Sequence, residues 1–350
     1  MFKARELSGF PGSSPKIEWP DKDAKIVVTG AGGFIGHHLV NRLVKEGCKN
    51  VVAIDIKEPE YTPLLHPLPF KTEYNFDLRK LLKEEFYESA RVYFKNAYVF
   101  HLAADMGGIG FIEQNKGQIV CNNTRIDLNV LDMAAGAQAE RLFYSSSACI
   151  YPAGLQRSVD VVPLREDMAY PADAEDGYGW QKLYTERLCR HYREDFGLDT
   201  RIARYHNIYG PEGTYDGGRE KAPAALSRKV AMVEDGDAIK IWGDGLQTRS
   251  YCYVDDCVEA SIRLMLSDHV DPINIGTDEL VSVKEMTNYL KAFSKKNFEL
   301  AFDTTKPQGV RGRNADLSLV KEKLDWIPVV GLEVGLATTY AWIENRVRGK

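Results

Sequence analysis

Tyr178 and Lys182 stand four residues apart in DGYGWQKLYTERL, a stretch that reads as helical, so both side chains lie on one face. The spacing by itself says little: with 18 tyrosines in the chain, roughly one YxxxK pair is expected from ordinary lysine usage. It gains meaning from Ser147, which closes the buried-strand pattern RLFYSSS. A phenol with a pKa of about 10 is a poor base near neutrality unless positive charge stabilises its phenolate. Lys182 supplies such charge. Tyr178 would then take a hydroxyl proton while hydride leaves the same carbon, with Ser147 holding the hydroxyl oxygen in line.

A departing hydride needs an acceptor, and VVTGAGGFIG offers a place for one. Gly30, Gly33 and Gly36 end an apolar strand and open a helix, a GxxGxxG variant of the dinucleotide fingerprint. Gly30 permits the tight turn, Gly33 lets the backbone approach a pyrophosphate, and Gly36 lets helix pack on strand. Phe34 and Ile35 begin the helix whose N-terminus meets the negative charge. A second strand, VVAID, ends in Asp55, about twenty residues past the last glycine, where an acid binds the adenosine ribose. That acid repels a ribose 2′-phosphate and no arginine directly follows it, so NAD is expected rather than NADP, although Lys57 lies close by. Asp77 either reaches the adenine or caps a helix. Ala103, in HLAAD, completes the expected cofactor set.

Elements that hold these residues follow from periodicity. Short apolar runs alternate with helical patterns from Lys25: KIVVTG, a helix from about Gly33, VVAID, VYFKNAYVFHLAA, a helix around Asn122 to Gly136, and RLFYSSS. This implies an α/β fold, a Rossmann-type doubly wound parallel sheet covered on both faces, with a smaller C-terminal α/β substrate lobe. The division expected is an arm over 1–24, a dinucleotide-binding domain over 25–205 with pieces near 239–265 contributing, and a mainly substrate-binding lobe over 206–350. A helix through Tyr178 to Asp195, another from Asp255, a Ser282 to Glu285 capping box and a last helix near Leu332 to Arg346 complete the pattern. The loop GPEGTYDGGREKAP is rich in glycine and charge, and its order is expected to come from ligand or partner contacts.

The 350 residues carry a net charge of -5, with 44% hydrophobic and 27% charged residues, which suits a globular protein and not one that coats nucleic acid or an anionic membrane. No apolar run resembles a signal peptide or a membrane span, so the cytoplasm is expected. Six cysteines show no CxxC pair and no His-rich metal spacing, so neither a disulfide framework nor a metal site is expected.

TGAGGFIG, HLAADMGG, SSACIYP, YGWQK, HNIYGP, GGREKAPAA, WGDGLQTRS, INIG and GVRGRNAD together resemble the extended short-chain dehydrogenases/reductases of the NAD-dependent epimerase/dehydratase family. The SSACIYP and GGREKAPAA blocks are more particular and resemble the GDP-mannose 3,5-epimerase family, from about Lys25 to the C-terminal helix. This resemblance implies transient oxidation at C4 of GDP-mannose, which acidifies the protons on C3 and C5, then epimerisation and re-reduction to GDP-L-galactose, with GDP-L-gulose as side product. It assigns Cys149 and Lys221 as the two acid/base groups. A thiol near pKa 8.5 and a lysine lowered by burial suit such carbon acids. Substrate contacts carried over are Gly107, Ser147, Ala148, Asn207, Glu220, Ala222, Lys229, Gln247, Thr248, Arg249 and Arg313, with the two arginines on the diphosphate. The family also implies a homodimer through helices near Val120 to Gly136 and Tyr178 to Asp195.

The chain departs from the plant enzymes in ending soon after AWIENRVRGK, in EPEYTPLLHPLPFK, and in the loop AGLQRSVDVVPLRED near the expected site, which leaves a modified sugar such as a GDP-heptose open. A 4,6-dehydratase wants an Asp-Glu pair where Ala148 and Cys149 stand. A simple C4 epimerase or dehydrogenase leaves Cys149 and Lys221 without a task. A non-catalytic NAD-binding regulator would not need the Ser-Tyr-Lys set.

Overall fold

The computed structural model describes residues 17–58, 72–73, 76–80, 91–306 and 309–349. Most of the arm and of EPEYTPLLHPLPFK lies outside the described residues. The first half runs β1 (Lys25–Thr29), α1 (Phe34–Lys45), β2 (Asn50–Ile54), β3 (Thr72–Glu73), β4 (Ala97–His101), α2 (Ile109–Gln114), α3 (Lys116–Gly136), β5 (Arg141–Ser147), α4 (Asp176–Phe196) and β6 (Thr200–Tyr205). Beyond it come β7 (Ile208–Tyr209), α5 (Ala222–Met232), β8 (Ala238–Trp242), β9 (Thr248–Ser250), β10 (Cys252–Tyr253), α6 (Val254–Leu266) and β11 (Ile273–Ile275). The chain finishes with β12 (Leu280–Ser282), α7 (Val283–Ser294), β13 (Glu299–Asp303), β14 (Gly312–Arg313), α8 (Ser318–Leu324) and α9 (Leu332–Val347).

Seven strands form one sheet in the order β11-β6-β5-β4-β1-β2-β3, every neighbouring pair parallel. The chain builds outward from β1 to β3, then returns to β4 beside β1 and builds the other way. The crevice beyond the carboxyl ends of β1 and β4 is therefore the switch point at which such sheets bind ligands. Strand alternation divides the core: Ile26 and Val28 join one apolar cluster with Leu39 and Leu43 of α1, while Val27 joins another with Val130 and Met133 of α3. Each such fully buried side chain contributes about 1.5–3 kcal/mol, so both faces hold the sheet flat against its helices.

Three features differ from the sequence reading. The strand at 238–242 does not join the large sheet; it pairs with β13, and its alternating exposed and buried residues suit a small sheet with one wet face. Its place at the edge of the large sheet is taken by β11, from the nominal substrate lobe. The start of VYFKNAYVFHLAA is helical at residues 91–94, and only Ala97–His101 is strand. Finally, GPEGTYDGGREKAP is tied within the chain: Arg219 pairs with Asp105 at 2.9 Å and lies 3.7 Å over the Phe111 ring, and Gly108 N donates to Arg219 O at 2.9 Å. The end of the arm also does more than lead into β1, because Trp19 is buried against Tyr98 and Phe100. Among the described residues no helix is long and apolar enough to cross a membrane.

Candidate active site

The glycine turn is built to steric limits. Gly30 has φ +76°, and a Cβ there would lie 2.7 Å from Ala103 N; a Cβ on Gly36 would lie 2.0 Å from Gly30 O. Only glycine lets α1 start this close to β1 and β4. Gly33 precedes α1 without a side-chain cap, so the N–H groups of the first turn, at Phe34 and Ile35, remain for an anion. Asp55, after β2, accepts hydrogen bonds from Gly32 N at 2.9 Å and Lys57 N at 3.1 Å. Burial pushes its carboxyl up, against those same bonds. It is thus aimed at the glycine turn, and these residues fit a dinucleotide with an unphosphorylated ribose. Asp77 begins a short 3-10 turn and is bound by Arg79 N at 3.1 Å and by the Arg79 side chain, which gives it the capping task.

Ser147 ends β5, while Tyr178 and Lys182 stand one turn apart on α4, both buried. Glycine again sets the fit, since a Cβ on Gly179 would lie 2.2 Å from Cys149 O. Lys182 Nζ donates to Ser145 O at 2.9 Å and sits 4.6 Å over the Tyr144 ring and 6.0 Å from that of Tyr178. Burial pushes the Tyr178 phenol up, helped by Cys149 and Asp127 and opposed by a hydrogen bond with Ser147. The protein's own charges therefore do not lower this phenol, because the nearest bond of Lys182 goes to a carbonyl.

Beneath this set lies a residue that the sequence reading missed. Asp127 on α3 is fully buried and bonds His101 Nε2 at 3.0 Å, Tyr144 Oη at 2.8 Å, Gln181 Nε2 at 2.7 Å and Thr185 Oγ1 at 2.8 Å. Burial alone would raise its carboxyl; the charge of Lys182 and the bonds from His101 and Tyr144 outweigh that and bring it down to about 2. In return, burial lowers Lys182 and Asp127 opposes the loss of its charge. No sequence motif marks Asp127, although its place about two and a half turns before Gly136 on a helix with a polar stripe was a usable signal.

Cys149 is half-buried beside a charge pair. Arg313 Nη1 donates to its sulfur at 3.4 Å, Nε donates to Gln156 Oε1 at 2.6 Å, and Nη2 pairs with Glu175. Glu175 N also donates to Cys149 O at 3.0 Å. Burial would raise the Glu175 carboxyl, but Arg313 and then Arg249 hold it below the usual range. Strand pairing explains the neighbouring arginines: β14 lies parallel to β9 with Arg313 opposite Arg249. Burial and the like charge of Arg313 bring Arg249 down to about 10. Arg249 donates to Thr248 O at 2.7 Å and Val310 O at 2.6 Å. Glu175 and Gln156 were missed by the sequence reading; neither belongs to a motif.

Lys221 precedes α5, and DMGG packs under its loop: a Cβ on Gly108 would lie 2.3 Å from Glu220 O, and one on Gly107 would lie 2.8 Å from Phe111. The Lys221 side chain is open to solvent, yet the protein around it is dense enough that desolvation lowers its ammonium, against the charge of Cys149. The remaining expected contacts spread around them. Ala148 is buried in the turn after Ser147, and Asn207, at φ +42°, donates to Ser250 O at 3.0 Å. Glu220 accepts from Gly218 N at 2.7 Å, and Ala222 opens α5. Lys229 donates to Lys240 O at 2.7 Å, while Thr248 donates to Val159 O at 2.6 Å. Gln247 donates to Trp242 O, and its buried Oε1 has no hydrogen-bond partner among the described residues.

A family model described as "NAD dependent epimerase/dehydratase family" matches residues 26–276. A GDP-mannose 3,5-epimerase of Arabidopsis thaliana is 46% identical over 330 residues, 94% of this chain and 84% of the relative. Among solved structures, UDP-glucose 4-epimerase of Thermotoga maritima with UDP-glucose superposes with a TM-score of 0.81 at 27% identity, covering 92% of this chain and 99% of that one. UDP-glucuronic acid 4-epimerase of Bacillus cereus, in complex with UDP-glucuronic acid and NAD, gives 0.77 at 26%, covering 92% and 99%. The chain belongs to the NAD-dependent epimerase/dehydratase family.

Proposed function

We propose that this protein is an NAD-dependent GDP-mannose 3,5-epimerase, an isomerase that yields GDP-L-galactose and GDP-L-gulose. The observation that carries this reading beyond simple C4 chemistry is the second pair of proton-handling groups. Cys149 follows the end of β5 and Lys221 stands at the start of α5, in a chain 46% identical to a GDP-mannose 3,5-epimerase, beside a Ser-Tyr-Lys set that would suffice for C4 alone. Gly30, Gly33 and Gly36, the start of α1 and Asp55 would hold NAD, which when bound supplies a hydride acceptor for C4 and returns the hydride at the end.

Tyr178 takes the C4 hydroxyl proton while Ser147 fixes the hydroxyl oxygen, and Lys182, kept charged by Asp127, offsets the phenolate together with the positive charge of bound oxidised NAD. With C4 a ketone, the C–H bonds at C3 and C5 become acidic. Cys149 and Lys221 then remove a proton from one face and deliver one to the other, so each inversion leaves the substrate's atoms in balance. Tyr178 finally returns its proton as C4 is reduced, and net redox is zero. Arg249, with Arg313 behind it, holds the diphosphate. The open depression lined by Gln156, Arg157, Glu175, Gly309, Val310 and Arg311 adjoins both arginines and receives the nucleotide.

The protein acts in the cytoplasm as a homodimer formed by α3 and α4; the exposed Trp180 and Tyr184 on α4 support such a face. Sedimentation at low concentration would give twice the 39.4 kDa chain mass, and a monomer alone would defeat the dimer. The activity is tested by adding GDP-mannose to purified protein that retains NAD. Expected are a transient band of reduced nicotinamide and both epimers among the products. Binding without either would overturn the reading.

A further inference from the structure

The cofactor helix carries a histidine whose two ring nitrogens both face acceptors. His37 on α1 is buried, and its Nδ1 lies 3.0 Å from Gly33 O. A carbonyl only accepts, so Nδ1 carries the proton and Nε2 presents a lone pair. That lone pair faces Glu212 Oε2 at 2.8 Å. Two acceptors meet there, and something positive must lie between them: a second proton or a metal ion. His38 stacks beside His37, ring centroids 4.3 Å apart, with its Nε2 3.2 Å from Pro211 O. Burial and then His37 lower the His38 pKa, so its imidazole is uncharged near neutrality. Pro211 O only accepts, so Nε2 of the neutral His38 ring carries the proton there, and ligation through Nε2 releases it.

We propose that His37, His38 and Glu212, with the Pro211 carbonyl as a fourth donor, form a binding site for a divalent metal ion of the zinc class. Two imidazoles and a carboxylate are donors this class accepts, and Gly33 O fixes the His37 tautomer as a carbonyl behind a metal-bound histidine does. The three ligand atoms lie within 4.8 Å of one another. A tetrahedral ion with bonds of about 2.0–2.1 Å sets edges of about 3.4 Å, so the closing movement is about an ångström. The His37–Glu212 edge, at 2.8 Å, opens by about 0.6 Å to admit the ion.

The site's place gives it a task. It joins the first turns of α1, directly after the glycine turn, to the Gly210–Gly213 turn that leads to Lys221. That turn already packs tightly: a Cβ on Gly213 would lie 3.3 Å from the Phe34 ring. A bound ion would clamp the cofactor helix to the loop carrying the catalytic lysine. Sequence spacing hid the site because Glu212 is 175 residues from His37.

The test uses untagged full-length protein stripped with chelator and titrated with Zn²⁺ by calorimetry and with Co²⁺ by visible absorption. Expected are one equivalent bound, a tetrahedral Co²⁺ spectrum and a raised melting temperature. Glu212→Gln and His38→Asn should each weaken binding at least tenfold while circular dichroism and NAD content stay unchanged. His37→Ala should abolish it. No binding at one equivalent, or binding that survives Glu212→Gln and His38→Asn, overturns the proposal. None of these readouts depends on which sugar the protein converts.

Discussion

The two sides of the cleft are made in different ways. On the cofactor side one continuous stretch, Thr29 to Asp55, supplies the turn, the helix start and the ribose acid, and the close approaches are backbone to backbone. On the sugar side Cys149, Glu175, Arg249 and Arg313 come from four separate segments and meet through side chains and strand pairing, with Lys221 on a fifth segment at the start of α5. The first side is rigid by steric exclusion. The second is held by charge, with Arg313 tied at once to Gln156, Cys149 and Glu175. Backbone geometry shapes the cofactor side of this chain, and a charge-held cluster shapes its sugar side.

The largest expected effects come from breaking either side. Tyr178→Phe should lower kcat by roughly 10²–10⁴ while NAD content stays at wild type, and steady-state turnover with NAD quantified after denaturation checks this. Gly36→Val should instead empty the cofactor side, since its Cβ would sit 2.0 Å from Gly30 O; protein isolated without NAD is the expected outcome. A variant with full NAD content would contradict the steric account.

Asp127→Asn tests the buried link beneath both sides. It should lower kcat by about tenfold to a hundredfold, as Lys182 loses the charge that keeps it protonated. Asp127 falls to about 2 in the folded protein from an unfolded value near 3.9. Its contribution to stability is therefore present above about pH 4 and lost as pH falls toward 2, worth about 2 kcal/mol. Acid unfolding of the variant, followed by circular dichroism, should be flatter across that window. Glu175→Gln keeps the shape but removes the charge facing Arg313, and a fall of about tenfold in kcat is expected. The smallest effect belongs to Arg165→Ala: its pair with Asp167 is exposed, and turnover should not change measurably.

The same contrast sets what the sequence disclosed. The glycine spacing, the alternation of runs and the capping box at Ser282, with Glu285 N at 3.1 Å, are local, and local patterns are readable. Cys149 and Lys221 were legible only through resemblance, because a cysteine after a strand and a lysine in a loop carry no spacing of their own. Glu175 and Gln156 were not legible at all, and Asp127 showed only as one polar position on a helix. Their roles arise from tertiary contacts, Asp127 to His101 across 26 residues and Arg313 to Gln156 across 157. Strand β11 escaped for a like reason, since the three-residue strand INI, with Asn274 between two isoleucines, finds its sheet only through β6.

The central claim is that Cys149 and Lys221 are two proton handlers on one oxidised sugar. Incubation with GDP-mannose in deuterated water, with C3 and C5 read by NMR, tests it most directly. Deuterium at both carbons in the wild type, and loss of exchange at C5 in Cys149→Ala despite continued transient formation of reduced nicotinamide, is the predicted result. Reduced nicotinamide with no deuterium at either carbon would contradict it and leave an enzyme of C4 chemistry alone.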